Sequence, residues 1–480
     1  MRGYRYIVLV GALLAILSLS PLALAKKGGV ISTGPKDQRA VAVTIYNVNL
    51  GLVKDQREVR LPVGVGELRF MGVASKIIPT SVHVRSLIDP GSLEVLEQNY
   101  EYDLLSPQKL LEKYVGKEVK LYYRNPYTDK EEIVTATLLS TNGGPIFKIG
   151  DEVTFSHPGR IIFPRVPDDL IAKPTLVWLL KNSIAKLQEI EASYLTEGIR
   201  WRADYVVILN ERDEMADLSG WVTIINKSGA TYRNARLKLV AGDVNRAREG
   251  VGYREEVLRA ALIKKAKGEP QFKEEGFFEY HIYTLRRPTT LKNNQTKQIS
   301  LITAHDIPVK KEFIYYGARF YYRNRWGQKI SDQKVGVFVE IENKKENNLG
   351  IPLPKGIVRV YKGDSSGSLQ FVGEDTIDHT PKDEKVRIKL GDAFDIVASR
   401  KQTDWRKLAP HLYEMSFEIS LRNHKEEDVT VKVVEPIPGD WEILYSSHKY
   451  TKTEAFTAEF NVHVPKNTEE KLAYRVRIRF

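Results

Sequence analysis

A serine between glycines is the first feature of the sequence that suggests chemistry. Gly-Asp-Ser-Ser-Gly at 363–367 fits the nucleophile motif of serine hydrolases, and Thr-Ala-His-Asp at 303–306 resembles the histidine segment of chymotrypsin-type proteases. A catalytic triad needs Ser365 on a fixed turn with His305 within hydrogen-bond reach. The motif lies between strand-like runs at 357–361 and 369–372, which predicts a β-hairpin turn and not the strand-to-helix turn of a hydrolase. We therefore expect a hairpin here.

Acidic residues that could bind a divalent cation follow this hairpin. The candidate metal ligands are Glu374, Asp375, Asp378 and His379. With Asp392 and Asp395, the same acids could instead provide the paired carboxylates of a glycoside hydrolase, with His379 as an acid-base partner. Neither an EF-hand calcium loop nor a His-Glu-x-x-His helix is present. A solvated loop is the alternative, and we expect no cofactor.

Aromatic residues and arginines are interleaved at 313–326. The candidate binding residues are Tyr315, Tyr316, Arg319, Tyr321, Arg323, Arg325 and Trp326. Aromatic faces beside guanidinium groups can stack on sugars, and arginine can form paired hydrogen bonds with carboxylates or phosphates. A glycan-binding platform is therefore one interpretation of the pattern. Strand alternation offers the other interpretation, in which half of these rings fill an ordinary core.

The elements that would position these residues are mostly strands. Alternating runs at 221–226, 338–343 and 417–423 each end in an Asn turn, which is typical of the strand-turn units of β-sandwiches. A short helix is expected after Ser106, with Ser106 as N-cap, Pro107 at the first helical position and Gly116 as the stop. A second short helical stretch is expected at 176–192.

These signals predict a mostly β fold. We expect a small N-terminal sheet domain with an inserted small β-barrel, followed by two immunoglobulin-like β-sandwich domains. The predicted boundaries are a signal peptide at 1–25, a flexible leader at 26–38, the N-terminal β domain at 39–100, the barrel-like insertion at 101–170, a sandwich at 171–335 and the C-terminal immunoglobulin-like sandwich at 336–480. A basic helical excursion at 246–273 would dock on its own domain or contact a membrane surface or partner.

Composition and the first residues indicate export. Arg2 and Arg5 precede an apolar run and then Ala23-Leu24-Ala25, the pattern of a cleaved secretory signal, with an uncleaved anchor as the alternative. The chain has no cysteine, which excludes disulfides and thiolate metal sites. Its formal net charge of +12 fits an anionic envelope polymer or lipid head group as partner, although charge also serves solubility. An exported chain is a poor partner for nucleic acid. We expect a periplasmic or extracellular protein that does not span the membrane once the signal is cleaved.

Several short stretches after residue 193, taken in their order along the chain, carry a resemblance to a known family. They are YLTEGIRWRADY at 194–205, LSGW at 218–221, LVAGDV at 239–244, FEYHIYTL at 278–285, TKQI at 296–299, NLGIPLPKG at 348–356 and GDAFD at 391–395. Together they resemble an exported bacterial family, domain of unknown function 4139, related to the mucoidy-inhibitor-A-like proteins. The resemblance implies a C-terminal sandwich and provides no catalytic residue to transfer. Relatives often hold a coiled coil before the sandwich, where this chain has barrel-like strands and the stretch at 176–192.

Two hypotheses of function follow from the sequence. The first is a non-catalytic envelope protein, a binding or structural module whose partner is an anionic envelope polymer, a lipid head group or an envelope protein. The alternative is a hydrolase that acts on anionic envelope glycans through paired carboxylates. The arrangement of the acids and of the rings at 313–326 distinguishes the two.

Overall fold

The computed structural model describes residues 28–126, 129–155, 157–167, 170–242, 271–277 and 280–480. The predicted signal peptide and almost all of the basic stretch at 246–273 lie outside these residues. Strands account for 65% and helices for 5% of the structure, which confirms the predicted mostly β, sandwich-rich fold. None of the helices in these ranges has the length and apolar character needed to cross a membrane.

The strands are numbered in chain order. Those up to residue 196 are β1 (Gly28–Thr33), β2 (Gln38–Tyr46), β3 (Gly51–Arg60), β4 (Gly64–Met71), β5 (His83–Ser86), β6 (Leu93–Glu101), β7 (Glu118–Arg124), β8 (Glu131–Ser140), β9 (Ile146–Ile149), β10 (Glu152–Thr154), β11 (Arg160–Ile162), β12 (Thr175–Asn182) and β13 (Leu187–Thr196). Between β6 and β7 lies the helix α1 (Pro107–Tyr114).

The strands after residue 196 belong to the second half of the chain. They are β14 (Ile199–Leu209), β15 (Met215–Asn226), β16 (Tyr232–Ala241), β17 (Phe272–Phe277), β18 (Tyr280–Leu285), β19 (Thr289–Leu291), β20 (Gln295–Tyr316), β21 (Ile330–Glu342), β22 (Gly356–Gly363), β23 (Leu369–Ile377), β24 (Lys385–Ala409), β25 (Leu412–Asn423), β26 (Val429–Pro436), β27 (Asp440–Ser446), β28 (Tyr450–Glu454), β29 (Thr457–Val464) and β30 (Thr468–Arg479).

The chain divides into two compact units, each assembled from separate segments. The first unit holds the described residues of 1–39, 56–73 and 83–192, and the second holds those of 40–55, 74–82 and 193–480. Strands β2, β3 and β13 have residues in both units. The consecutive domain boundaries expected from the sequence stay predictions.

The first unit contains two sheets. A four-stranded sheet has the order β1-β4-β12-β6, and within its core the rings of Phe70 and Trp178 pack edge to face at 5.6 Å. Residues 28–33, expected as part of a flexible leader, form β1 and pair in parallel with β4. The second sheet, with the order β10-β9-β8-β7-β11, covers a small core that includes Leu121, Leu138 and Phe147.

Helix α1 confirms the helix predicted after Ser106. The Ser106 hydroxyl oxygen accepts a hydrogen bond from the Lys109 N–H at 3.1 Å, and Pro107 occupies the first turn. The prediction of a helix at 176–192 is wrong. That segment forms β12 and β13, and β12 pairs with β4 on one side and β6 on the other. A central strand buried on both faces has a continuous apolar run, which sequence periodicity cannot distinguish from a buried helix.

Two apolar cores of the second unit share long strands. The first core lies among β14, β15, β22 and β23, and the second among β25, β26, β29 and β30. Strands β20, β21 and β24 contribute to both cores, and β20 and β24 are 22 and 25 residues long. The order of the sheet is β23-β22-β14-β15-β20-β21-β24-β25-β30-β27, with β26 paired to β20 and β29. In the same unit β16 pairs with β18 and, in parallel, with β2.

A buried asparagine ends each of the strand-turn units that the sequence predicted at 221–226, 338–343 and 417–423. Asn226, Asn343 and Asn423 are each at most 1% exposed. In all three the side-chain oxygen accepts a turn N–H, and the side-chain nitrogen donates to carbonyls of its own turn and of a second turn. Each asparagine therefore ties two turns together at one end of a core, because backbone groups buried there need partners.

Candidate functional site

The serine motif forms the hairpin turn that the sequence predicted between β22 and β23. Asp364 organises this turn, because its Oδ1 accepts hydrogen bonds from the Ser366 hydroxyl at 2.6 Å and the Ser368 N–H at 3.0 Å. These hydrogen bonds stabilise the carboxylate and lower the pKa of Asp364 to about 2. His305 lies in β20, with its Nδ1 3.3 Å from Asp217 Oδ1. Across the described residues no hydrogen bond joins Ser365 to a histidine.

The candidate metal ligands lie along β23 and the loop after it, and two of them are held by cations. Glu374 Oε2 is 3.0 Å from Arg359 Nε. Asp378 Oδ1 is 3.0 Å from Lys355 Nζ, and this ion pair lowers the pKa of Asp378. His379 Nδ1 accepts the Lys355 N–H. Among the residues that the structure describes, no three acids or histidines form a cluster suited to a metal ion.

The remaining acids of the hydrolase hypothesis are Asp375, Asp392 and Asp395, and each contacts a residue outside this set. Asp375 Oδ2 accepts the Lys389 N–H at 2.8 Å, whereas Asp392 Oδ1 lies 3.4 Å from Lys389 Nζ. Asp395 is exposed in β24, where its carbonyl accepts the His424 N–H. No observation favours a pair of these carboxylates that shares one cleft, and the hydrolase stays a hypothesis.

The candidate binding residues at 315–326 separate into buried and exposed sets. Residues 317–329 connect β20 to β21, and we call them the crossover segment. Tyr315, at the end of β20, and Tyr321, in the crossover segment, fill the second core. Tyr316 is exposed and packs edge to face on Phe338, with the centroids 6.2 Å apart. The remaining candidates are at the surface, with three exposed arginines and a half-buried tryptophan: Arg319, Arg323, Arg325 and Trp326.

Phe320 and Phe456 complete this surface. Phe320 is one of the aromatic residues of the predicted range 313–326 but not one of the candidate binding residues, and Phe456 lies outside that range. Phe320 is 49% exposed and Phe456, in the turn between β28 and β29, is 46% exposed. The Phe320 ring lies 5.5 Å from the Trp326 ring, and the Arg319 guanidinium carbon lies 6.0 Å from the Phe456 centroid. We call Arg319, Phe320, Arg323, Arg325, Trp326 and Phe456 the cation-ring surface.

The three guanidinium groups of this surface have no acidic partner within the described part of the chain. No carboxylate there lies within 4.0 Å of Arg319, Arg323 or Arg325. Other arginines nearby are paired, for example Arg475 and Arg477, both with Glu414. The crossover segment therefore holds concentrated positive charge that the fold does not neutralise.

A buried ion pair lies directly beneath the crossover segment. Arg400 of β24 and Glu435 of β26 are 2% and 0% exposed, with Nη1 2.5 Å from Oε1. Tyr322 of the crossover segment donates its hydroxyl hydrogen to the second oxygen of Glu435. Arg400 Nη2 donates to the Tyr474 hydroxyl at 2.9 Å, and the Tyr322 and Tyr474 hydroxyls are also 2.9 Å apart. The Arg400 guanidinium lies between the rings of Tyr321 and Phe417, at 4.5 and 4.3 Å.

The pKa values of Arg400, Tyr322 and Tyr474 are all raised. Burial lowers the pKa of Arg400, but the charge of Glu435, the two tyrosines and the hydrogen bond to Glu435 together outweigh burial, and the pKa lies well above its ordinary value. Burial, followed by the charge of Glu435, raises the pKa of Tyr322, so its hydroxyl stays protonated and can donate. For Tyr474 burial is again the largest cause of a raised pKa.

Gly317 lets the crossover segment leave β20 against this ion pair. A Cβ atom at this position would lie 2.6 and 2.7 Å from the two carboxylate oxygens of Glu435. The Gly317 N–H donates to the Val434 carbonyl at 2.8 Å, which fixes the backbone at the point of closest approach. A glycine directly after the aromatic pair Tyr315 and Tyr316 is a sequence signal for such a close approach, and the sequence analysis did not use it.

No protein-family model matches the chain, and no curated protein matches it significantly. The resemblance to domain of unknown function 4139 therefore depends on the stretches quoted above and stays a prediction.

Proposed function

We propose that the chain is a non-catalytic binding module of the cell envelope and that its cation-ring surface binds an anionic glycan. The observation behind the proposal is that the crossover segment presents three exposed guanidinium groups with no carboxylate partner among the described residues. The same segment presents the half-exposed Phe320 ring, and the Arg319 guanidinium lies 6.0 Å from the half-exposed Phe456 ring. An exported location is part of the proposal and is supported by the signal-like first residues.

The chemistry of the surface fits a polymer of acidic sugars. Each guanidinium can form two parallel hydrogen bonds with one uronate carboxylate, and the planar fork makes that geometry specific. The rings of Phe320 and Phe456 offer apolar faces of the kind that pack against the C–H face of a sugar. A ligand with alternating apolar faces and carboxylates satisfies both sets of groups at once.

The positions of Phe320 and Trp326 are set by contacts within the fold. Phe320 packs on Tyr321 with the centroids 4.2 Å apart, and Tyr321 is anchored in the second core. The backbone N–H of Trp326 donates to Gln402 Oε1 at 2.7 Å. A surface held in this way loses less conformational entropy when it binds, so that more of the contact energy appears as affinity.

The experiment titrates the full chain with polygalacturonate, a linear polymer of uronic acid, by isothermal calorimetry at low ionic strength. The test variant combines Arg319→Gln, Arg323→Gln and Arg325→Gln. We expect this variant to bind at least about tenfold more weakly, because losing one charge-assisted bond of about 1.5 kcal/mol already has that effect. Neutral dextran is the control ligand and should not bind.

A matched control separates a site from general basicity. It combines Arg200→Gln, Arg233→Gln and Arg236→Gln, which remove the same charge from exposed positions on β14 and β16. This control should keep the affinity of the wild type within about twofold. Equal losses in both variants, or no binding by the wild type, would contradict the proposal. Stronger binding to phosphatidylglycerol vesicles than to polygalacturonate would replace the glycan with a lipid surface.

A further inference from the structure

The crossover segment is held to the second core by apolar residues and by one buried polar contact. Tyr321 and Tyr322 are buried in that core and Ala318 and Trp326 pack against it, whereas the arginines of the segment are exposed. The Tyr322 hydroxyl donates a hydrogen bond to the carboxylate of Glu435, which is fully buried and paired with Arg400. A hydrogen bond to a buried charge is stronger than one between neutral groups, so this contact fixes the segment firmly.

A buried ion pair is a poor source of stability by itself. The cost of removing two charges from water offsets most of their attraction, and an apolar pair of the same volume often stabilises a core equally well. Such a pair does define one arrangement of the groups that hydrogen-bond to it, because every alternative leaves a buried charge without a partner. Glu435 uses its two oxygens for Arg400 and for Tyr322, and so it accepts the crossover segment in one position.

Two further contacts hold the crossover segment to the same pair. The Tyr321 ring covers the Arg400 guanidinium at 4.5 Å, a cation–π contact inside the core. Gly317 brings the backbone against both oxygens of Glu435, where no side chain fits. The ion pair therefore contacts the crossover segment at its first residue, Gly317, and near its centre, at Tyr321 and Tyr322.

We infer that Arg400 and Glu435 are positioning residues of the cation-ring surface, which act through Tyr322 to hold the three guanidinium groups in the arrangement that binds the anionic glycan. The inference rests on the proposed function for the identity of the ligand. The positioning itself does not depend on that identity, and it can be measured without any glycan.

Tyr322 and Tyr205 provide a matched pair for the test, since each has a buried hydroxyl that donates a hydrogen bond. Tyr322 lies in the crossover segment, whereas Tyr205 lies in β14 and the first core. Tyr322→Phe and Tyr205→Phe each remove one buried hydroxyl and keep the ring. A purely structural role predicts similar consequences for the two variants. A positioning role predicts that only Tyr322→Phe changes the crossover segment.

The first measurement is hydrogen–deuterium exchange of peptides that cover 317–329 in the full chain. In this segment the N–H groups of Gly317, Tyr321, Arg323 and Trp326 are hydrogen-bonded and should exchange slowly. We expect Tyr322→Phe to speed their exchange at least about fivefold and Tyr205→Phe to change it less than about twofold. Gly317→Ala, which displaces the backbone from Glu435, should act like Tyr322→Phe. Equal acceleration in both tyrosine variants, or none in either, would overturn the inference.

The second measurement is the affinity for polygalacturonate. Tyr322→Phe should weaken binding about three- to tenfold, and Tyr205→Phe should keep it within about twofold. If the crossover segment loosens in Tyr322→Phe and binding is unchanged, the link between positioning and binding is rejected. If the wild type fails to bind while the exchange rates differ as expected, the proposed function fails and the positioning stands.

Discussion

The guanidinium carbon of Arg319 lies 6.0 Å from the ring centroid of Phe456, although the two residues belong to segments far apart in the chain. The crossover segment and the turn before β29 therefore form one surface. A cation–π contact at an exposed site contributes only about 0.5–1 kcal/mol, so it aligns the two parts more than it stabilises the fold. The predictions below concern this surface first and then the fold that presents it.

The exposed rings should contribute to glycan affinity individually. Phe320→Ala and Phe456→Ala each remove one apolar face, and an aromatic contact of about 0.5–1.5 kcal/mol corresponds to a roughly two- to tenfold loss of affinity. Phe371→Ala removes a ring of similar exposure from β23 and should leave the affinity unchanged. Calorimetric titration with polygalacturonate measures all three. Equal effects of the three substitutions would show that the rings do not define a site.

Salt should weaken the binding of polygalacturonate through the arginines. At about 0.15 M ionic strength charges are screened beyond roughly 8 Å, so the affinity of the wild type should fall as sodium chloride is added. The slope of log affinity against log salt should be smaller for the variant that lacks Arg319, Arg323 and Arg325. Phe320→Ala should bind more weakly and keep the slope of the wild type. A slope that is the same in all these proteins would contradict an electrostatic role for the crossover segment.

Asn423 should stabilise the fold, because its side chain holds two turns together at one end of the second core. Its Nδ2 donates to the Val464 and Pro465 carbonyls, and Asn423→Asp would replace these donors with a buried carboxylate. We expect a loss of at least about 3 kcal/mol in the free energy of unfolding, measured by urea denaturation at neutral pH. Asn461→Asp, at an exposed position of β29, is the control and should change stability by less than about 0.5 kcal/mol. Similar losses would show that the buried donors are unimportant.

Asp213 should make the stability of the second unit depend on pH. Burial raises its pKa, but hydrogen bonds and charge from Lys311 and Lys362 outweigh burial and lower the pKa overall. A carboxylate with a lowered pKa stabilises the fold above its unfolded pKa of about 3.9, and this stability is lost as pH falls through the folded pKa.

The substitution that tests this pair is Asp213→Asn. At pH 7 we expect a loss of roughly 0.5–1 kcal/mol, because the pair is partly exposed and screened, and the difference from the wild type should shrink as the pH falls from about 5 towards 2. Thermal unfolding at several pH values measures it. Glu211→Gln, an exposed position in the same turn, is the control. A difference that grows in acid would contradict the assignment.

Local signals in the sequence predicted the local elements. The helix after Ser106 was predicted because a cap and a proline define its start, and the strands that end at Asn226, Asn343 and Asn423 because their alternation is regular. The prediction of a helix at 176–192 was wrong because β12 is paired on both sides and its sequence is therefore uniformly apolar.

The candidate site was only partly predictable for a different reason. Alternation indicated that some rings at 313–326 would be buried, but the choice between Tyr321 and Phe320 depends on distant partners. Tyr322 and Glu435 are separated by 113 residues, so no local pattern connects them. Phe456 reaches the surface only because β28 and β29 form a hairpin beside the crossover segment.

The most direct test of the account compares polygalacturonate binding by three proteins at low ionic strength: the wild type, the Arg319, Arg323 and Arg325 glutamine variant, and the Arg200, Arg233 and Arg236 glutamine variant. The account predicts that the wild type and the second variant bind alike, and that the first variant loses at least about tenfold in affinity. Indistinguishable affinities in the two variants would contradict it.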